Sequence, residues 1–184
     1  MAAAPRRWAA ELLHFWFHKL TPQDWFGGSE RVDAQLRARF GPDLAALSAM
    51  RADSFLTDPL TARAAILLFD QVPRNIHRGT AHTFAFDPLA RAICRSALLR
   101  GWDKGLSRQE RQFLGMPLMH SEHITDQQWS MDYYTRLGSS FIRTFAKGHY
   151  DMVARFGRFP HRNDVLGRES TPAELAAVAA GHAW

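Results

Sequence analysis

A single cysteine in 184 residues, Cys94, excludes an intramolecular disulfide and any cysteine-built zinc site, and it accords with a reducing compartment. No run reaches the ~18 consecutive apolar residues that a membrane-spanning helix needs. The opening stretch MAAAPRRWAAELLHFWFHKL is interrupted by Glu11, His14, His18 and Lys19, so it lacks the unbroken apolar core of a signal peptide. Alternating β-branched runs are nearly absent, which removes the pattern a sheet requires. There is no glycine-rich phosphate loop, low-complexity segment or interdomain linker, and no clean repeat at a period of about 30 to 45 residues. Basic residues form no block of five or six, which argues against a nucleic-acid-binding arm. These absences lead us to expect a cytoplasmic protein with neither a membrane nor a nucleic-acid partner.

What remains is globular in composition. Apolar residues make up 46% and aromatics 12%, enough to build a core, and the length suits one domain over residues 1–184. The 23 Lys and Arg, mostly Arg, exceed the 18 Asp and Glu, and a net +5 favours anionic ligands without specifying a fold.

Helix signals recur along the chain. After Pro5, Trp8, Leu12, Phe15, Trp16 and Leu20 form an apolar stripe at three-and-four spacing. Ser29 caps a second helix carrying Val32, Leu36 and Phe40, with Gly41-Pro42 as its stop. Asp58-Pro59 opens a helix whose AAILLF (64–69) is apolar on all sides and therefore central, with Pro73 as its end. Asp87-Pro88 repeats that start, and Gly101 closes the helix. Ser107 with Glu110, and Thr171 with Glu174, are capping boxes. Gly115 and Pro117 read as an interruption. Further helices are expected over 122–137, before Gly138, and over 140–156, before Gly157. The fold class is all-α: about eight helices, joined by short links that favour stacked antiparallel hairpins.

Three helix-breaking segments carry an outsized polar load: DQVPRNIHRG (70–79), MPLMHSEH (116–123) and RFGRFPHRN (155–163). Each adjoins an apolar helix, so the three are expected to converge although about 40 residues of chain separate them. Their side chains could equally tie helix ends together, with Asp70, Glu122 and Asp164 as carboxylate partners for arginine. His120 and His123 lie three apart around Glu122 but match no known zinc spacing, so no metal is expected. Ser121 lacks a strand-turn-helix elbow and is no nucleophile. Cys94, among Ile93 and Ala97, reads as a small core residue. LLHFWFHKL reads as core rather than as a partner-binding face.

LLFDQVPRNIHRGT, DPLA, MPLMHSE followed by Asp126-Gln127, and RFGRFPHRNDVLGRESTPAE occur in that order. Together, from Trp25-Phe26 to Glu174, they resemble the bacterial domain-of-unknown-function 924 family. The resemblance implies an all-helical, tetratricopeptide-like fold and supplies no reaction or cofactor. Its polar motif positions here are Asp70, Gln71, Arg74, Asn75, Arg78, His120, Glu122, Arg158, His161, Arg162 and Asn163. Val72, His77 and His123 depart from the family pattern, and the two histidines are kept outside the expected site.

Three functions compete. In the favoured one, an arginine-rich pocket binds a small anionic molecule: Arg74, Arg158 and Arg162 hold the anion, and Asn75 and Asn163 orient it. Asp70, Gln71 and Arg78 complete that ligand set. In the second, the protein is an enzyme in which His120 or His161 is a general acid or base tuned by Glu122 or Asp70. In the third, a concave helical surface binds a protein partner.

Overall fold

The computed structural model describes residues 7–181, so Pro5 lies outside the described residues. Among those residues the secondary structure is helical, with no strand. In chain order the helices are α1 (Arg7–His18), α2 (Pro22–Phe26), α3 (Glu30–Leu47), α4 (Pro59–Ile66), α5 (Val72–Ile76), α6 (Asp87–Leu99), α7 (Arg108–Met119), α8 (Ile124–Leu137), α9 (Ser140–Phe156) and α10 (Pro172–Ala179). None is long and apolar enough to cross a membrane. α6, α7, α8 and α9 pack against one another in sequence, while α4 is central, touching α1, α6 and α7. The apolar stripe of α1 is buried through Ala9, Leu12, Leu13, Phe15 and Trp16, as its spacing requires.

The expected caps form where a side chain can reach a free amide. Ser29, Asp58, Ser107 and Thr171 each accept a hydrogen bond from the first turn of their helices. Gly138 and Gly157 end α8 and α9 with φ of 76° and 70°, a left-handed turn that suits glycine.

The prolines behave differently from expectation, for three separate reasons. α3 runs through Gly41-Pro42 to Leu47. Pro42 is exposed, as is Ala38 one turn earlier, so the carbonyl that loses its partner faces water while Leu44 extends the buried stripe. At Pro73 the helix does not stop either. Leu67–Gln71 forms a π-helical turn, in which the Val72 N–H bonds to the Leu67 carbonyl, and this wider turn carries the chain past the proline into α5. α7 likewise passes through Gly115 and Pro117, because Phe113 through Met119 are all buried. The second polar segment therefore breaks only after Met119, and the His120 N–H still bonds to the Met116 carbonyl.

A β-carbon at Gly115 would sit 2.6 Å from the Tyr133 ring, which is itself buried. Gly115→Ala is therefore expected to lower stability by roughly 1–3 kcal/mol through overpacking. Gly41, also inside a helix, has nothing within 4 Å, and Gly41→Ala should be neutral or stabilise by up to about 1 kcal/mol. Thermal melts of the two variants check the contrast; equal midpoints would contradict it.

Candidate functional site

The π turn aims Asp70 into the interior, where its side chain is wholly buried. Burial alone would raise that carboxyl, but Arg74 and His120, with a hydrogen bond from Gln71, hold it below the usual carboxylate range. One oxygen lies 2.8 Å from His120 Nδ1 and 3.3 Å from Arg74; the other accepts from Gln71 at 2.5 Å. Arg74 in turn donates to the Asp70 carbonyl at 2.6 Å and forks onto Asp87 at 2.8 and 2.9 Å. The turn Pro160–Arg162 brings in the third segment. Arg162 donates to Asp87 at 3.3 Å and to the His120 carbonyl at 3.0 Å, between the rings of Phe84 and Phe159. Burial and the neighbouring Arg74 lower Arg162 to about 10, which still leaves it charged at neutral pH.

These groups floor a cavity of about 590 Å3, within the range of small-molecule sites. Arg74, Arg78 and Arg162 line it, with His120, His149, His161, Gln71 and Thr83, and no carboxylate among the described residues does. Asp70 and Asp87 stand behind the arginines instead. The remaining wall is apolar: Phe26, Phe84, Met116, Met119, Phe141, Ile142, Phe145 and Val165. Phe26, Phe141 and Phe145 are also exposed.

All three cavity histidines are held below the ordinary histidine value. Burial is the main cause for each, bringing His149 to about 3 and His161 to about 4, with His120 adding to the effect on the first and Arg162 on the second. For His120, burial and Arg74 outweigh the opposing pull of Asp70. The cavity therefore presents neutral imidazoles at pH 7.

The structure brings together Asp70, Gln71, Arg74, Arg78, His120, His161 and Arg162, so the three polar segments do converge. It leaves five of the sequence-derived residues off the cavity wall, Asp70 behind the arginines and four others elsewhere. Asn75 bridges the Gln71 carbonyl and Arg78. Asn163 donates to Ser170, and Glu122 accepts from Arg168 and the Phe159 N–H. Arg158 pairs with Glu174 at 2.6 and 3.0 Å and with the Glu169 carbonyl, not with Asp70 or Glu122, so it docks α10 and does not line the cavity. Asp164 is exposed.

Asp87 was missed. Its Asp-Pro context marked it as a helix cap, but it is the first residue of α6, and Phe86 precedes it without a side-chain cap. The carboxylate serves the arginines instead. His149 was hidden inside a regular helix, where nothing local distinguishes it from a packed residue. No group of three or more His, Cys, Asp or Glu among the described residues is arranged to hold a metal. Cys94 is buried in the core.

A family model of bacterial proteins of unknown function, DUF924, matches residues 12–182. The chain belongs to the DUF924 family. Among solved structures, the protein of unknown function ATU0120 from Agrobacterium tumefaciens is 38% identical to it, with a TM-score of 0.90. That match covers 97% of this chain and 100% of the other. No curated protein matches. The DUF924 motifs quoted above thus supply both the cavity floor and the ties at Glu122 and Arg158.

The depressed histidines fix an acid-sensitivity window. A folded-state value below the unfolded ~6.5 means the unfolded chain binds protons first, so stability is full above that pH and is lost as pH falls toward about 4. The slope should reach up to about 1.4 kcal/mol per pH unit for each proton. Melts between pH 7 and 4 should show this fall, and His149→Phe should flatten it; a level wild-type profile would contradict the assignment.

Proposed function

We propose that this chain acts as one cytoplasmic domain that binds a small amphipathic molecule, its anionic head on the Arg74–Arg162–His120 floor and its body along the Phe and Met wall. The observation that carries this reading is the asymmetry of the cavity: three arginines and three histidines line it, and no carboxylate among the described residues does. An anionic head there meets donors on the floor, and the two aspartates that neutralise the arginines lie behind them. The apolar wall removes the rest of the molecule from water at about 25 cal/mol per Å2. Arg158, Asn75 and Asn163 drop out of the ligand set for the reasons of geometry given above, and Asp70 moves from touching the ligand to holding Arg74 and His120.

A second reading rests on the Asp70–His120 contact. A buried carboxylate on Nδ1 fixes the tautomer of the imidazole and supports the charge it gains on taking a proton, which is what a general base requires. Under that reading the bound molecule is a substrate and His120 is the catalytic residue. Hydrolysis of p-nitrophenyl octanoate by the wild type, lost in His120→Gln, would favour it; an inert wild type would not.

The binding reading is tested by melts with octanoate, octyl phosphate, acetate and inorganic phosphate. An eight-carbon anion at 100 times its Kd should stabilise by about 2.7 kcal/mol, and the tail-less anions should have no effect at equal concentration. Arg162→Gln, in which Arg74 still holds Asp87, should remain folded and lose the response. Absence of any shift, or equal shifts from tailed and tail-less anions, would overturn this function.

A further inference from the structure

The charges around the cavity floor balance before any ligand arrives. Arg74 and Arg162 face Asp70 and Asp87, two against two, and Arg78 is matched by Asp33. The guanidinium donors are largely committed as well. Arg74 is forked on Asp87, Arg78 on Asp33, and Arg162 spans Asp87 and the His120 carbonyl. An anion entering this neutral, partly apolar cavity would be an uncompensated buried charge unless one further positive charge appears with it.

A histidine can supply that charge, and the surroundings single out one of the three. His120 is faced by Asp70 and Arg74 from the π turn and α5, by Asp87 from α6, by Arg162 and His161 from the Pro160–Arg162 turn, and by His149 from α9. Its Nδ1 lies 2.8 Å from Asp70, so an imidazolium there has a carboxylate acceptor already in place. His149 Nδ1 instead meets the neutral Phe145 carbonyl, at 2.9 Å. His161 stands beside the charge of Arg162. A proton added at His120 meets a buried carboxylate.

We propose that the site takes a monocarboxylate with an apolar body, and takes it together with one proton from solvent that comes to rest on His120. The pair formed is carboxylate to imidazolium, with Asp70 on the opposite ring nitrogen; no covalent bond changes. A single negative charge matches the single positive charge gained, whereas a phosphate dianion would leave one charge unmatched. The lowered proton affinity of His120 in the empty site means that the proton arrives with the ligand. This proposal rests on the anion-binding reading above and adds the charge of the head group and its coupling to pH.

Calorimetry of octanoate binding at pH 7.5 in HEPES, PIPES and Tris counts the protons, because the buffers differ in ionisation enthalpy. About one proton taken up per octanoate at pH 7.5 is expected, with affinity falling about tenfold per pH unit as pH rises above neutrality. Octanol should bind without proton uptake. His120→Gln should weaken octanoate roughly 10- to 100-fold, the worth of a charge-assisted hydrogen bond, and abolish the uptake. Ring-nitrogen NMR on the unmutated protein gives an independent readout: the His120 signals should move to imidazolium values when octanoate is added. Octanoate binding without proton uptake, uptake that survives in His120→Gln, or octyl phosphate binding more tightly than octanoate would each overturn the proposal and leave the anion-binding reading standing. If neither eight-carbon anion binds, both fall.

Discussion

A carboxylate with no access to water organises this protein. Asp70 sits on the central helical run, and an ionised acid there is tolerable only with partners on every lone pair. Those partners are Gln71 beside it, Arg74 one turn on, and His120 from the end of α7. Arg74 then needs a second carboxylate, Asp87 at the start of α6, and Asp87 draws in Arg162 from a turn 75 residues away in sequence. Four segments are therefore held by one chain of ionic demands. Arg74 is the member the others depend on: without it Asp70 keeps no arginine, whereas Asp87 survives the loss of Arg162 because Arg74 still holds it, so the cavity floor is tied to the fold chiefly through Arg74.

The same polar vocabulary is used twice, to different ends. On the cavity side, arginines and histidines turn their faces to an open space and keep the acids behind them. On the C-terminal side, Arg168 forks onto Glu122, and Arg158 closes on Glu174 within the capping box of α10. Glu174 is held at about 2 by Arg158 and by the Thr171 N–H, so it is ionised and engaged throughout the neutral range. What separates the two groups is whether an apolar wall stands opposite, not which residue types they contain.

Much of the fold was legible because it rests on local chemistry. Caps such as Ser107–Glu110 and stops such as Gly138 and Gly157 act within a few residues, and the three-and-four stripe of α1 needs only one face of water. Proline was where local reading failed. Whether a lost hydrogen bond ends a helix depends on what else the helix buries, and at Pro42, Pro73 and Pro117 that information lies in other elements. The site was partly legible for the same reason. Polar residues at helix ends flagged Asp70, Arg74, His120 and Arg162, but a segment does not reveal its partner. Arg158 and Asn163 carry the same signal as Arg162 and face the other way. Asp87 was concealed by having an adequate local explanation, and the apolar wall from α2, α7 and α9 has no signature apart from ordinary core.

The π turn at Leu67–Gln71 amounts to a helix that contains one residue more than an α-helical path would use. Excising a residue there would return the run to an α-helical path between the same two ends, so the change would fall on the turn itself rather than on α4 and α5. Asp70 and Gln71, which the widened turn carries into the interior, would then no longer meet His120 while Arg74 kept its place. Length within those five positions is thus a quantity the protein has to conserve, independently of which side chains occupy them. Among relatives that keep this cavity, insertions and deletions should spare this turn even where its apolar residues exchange freely for one another.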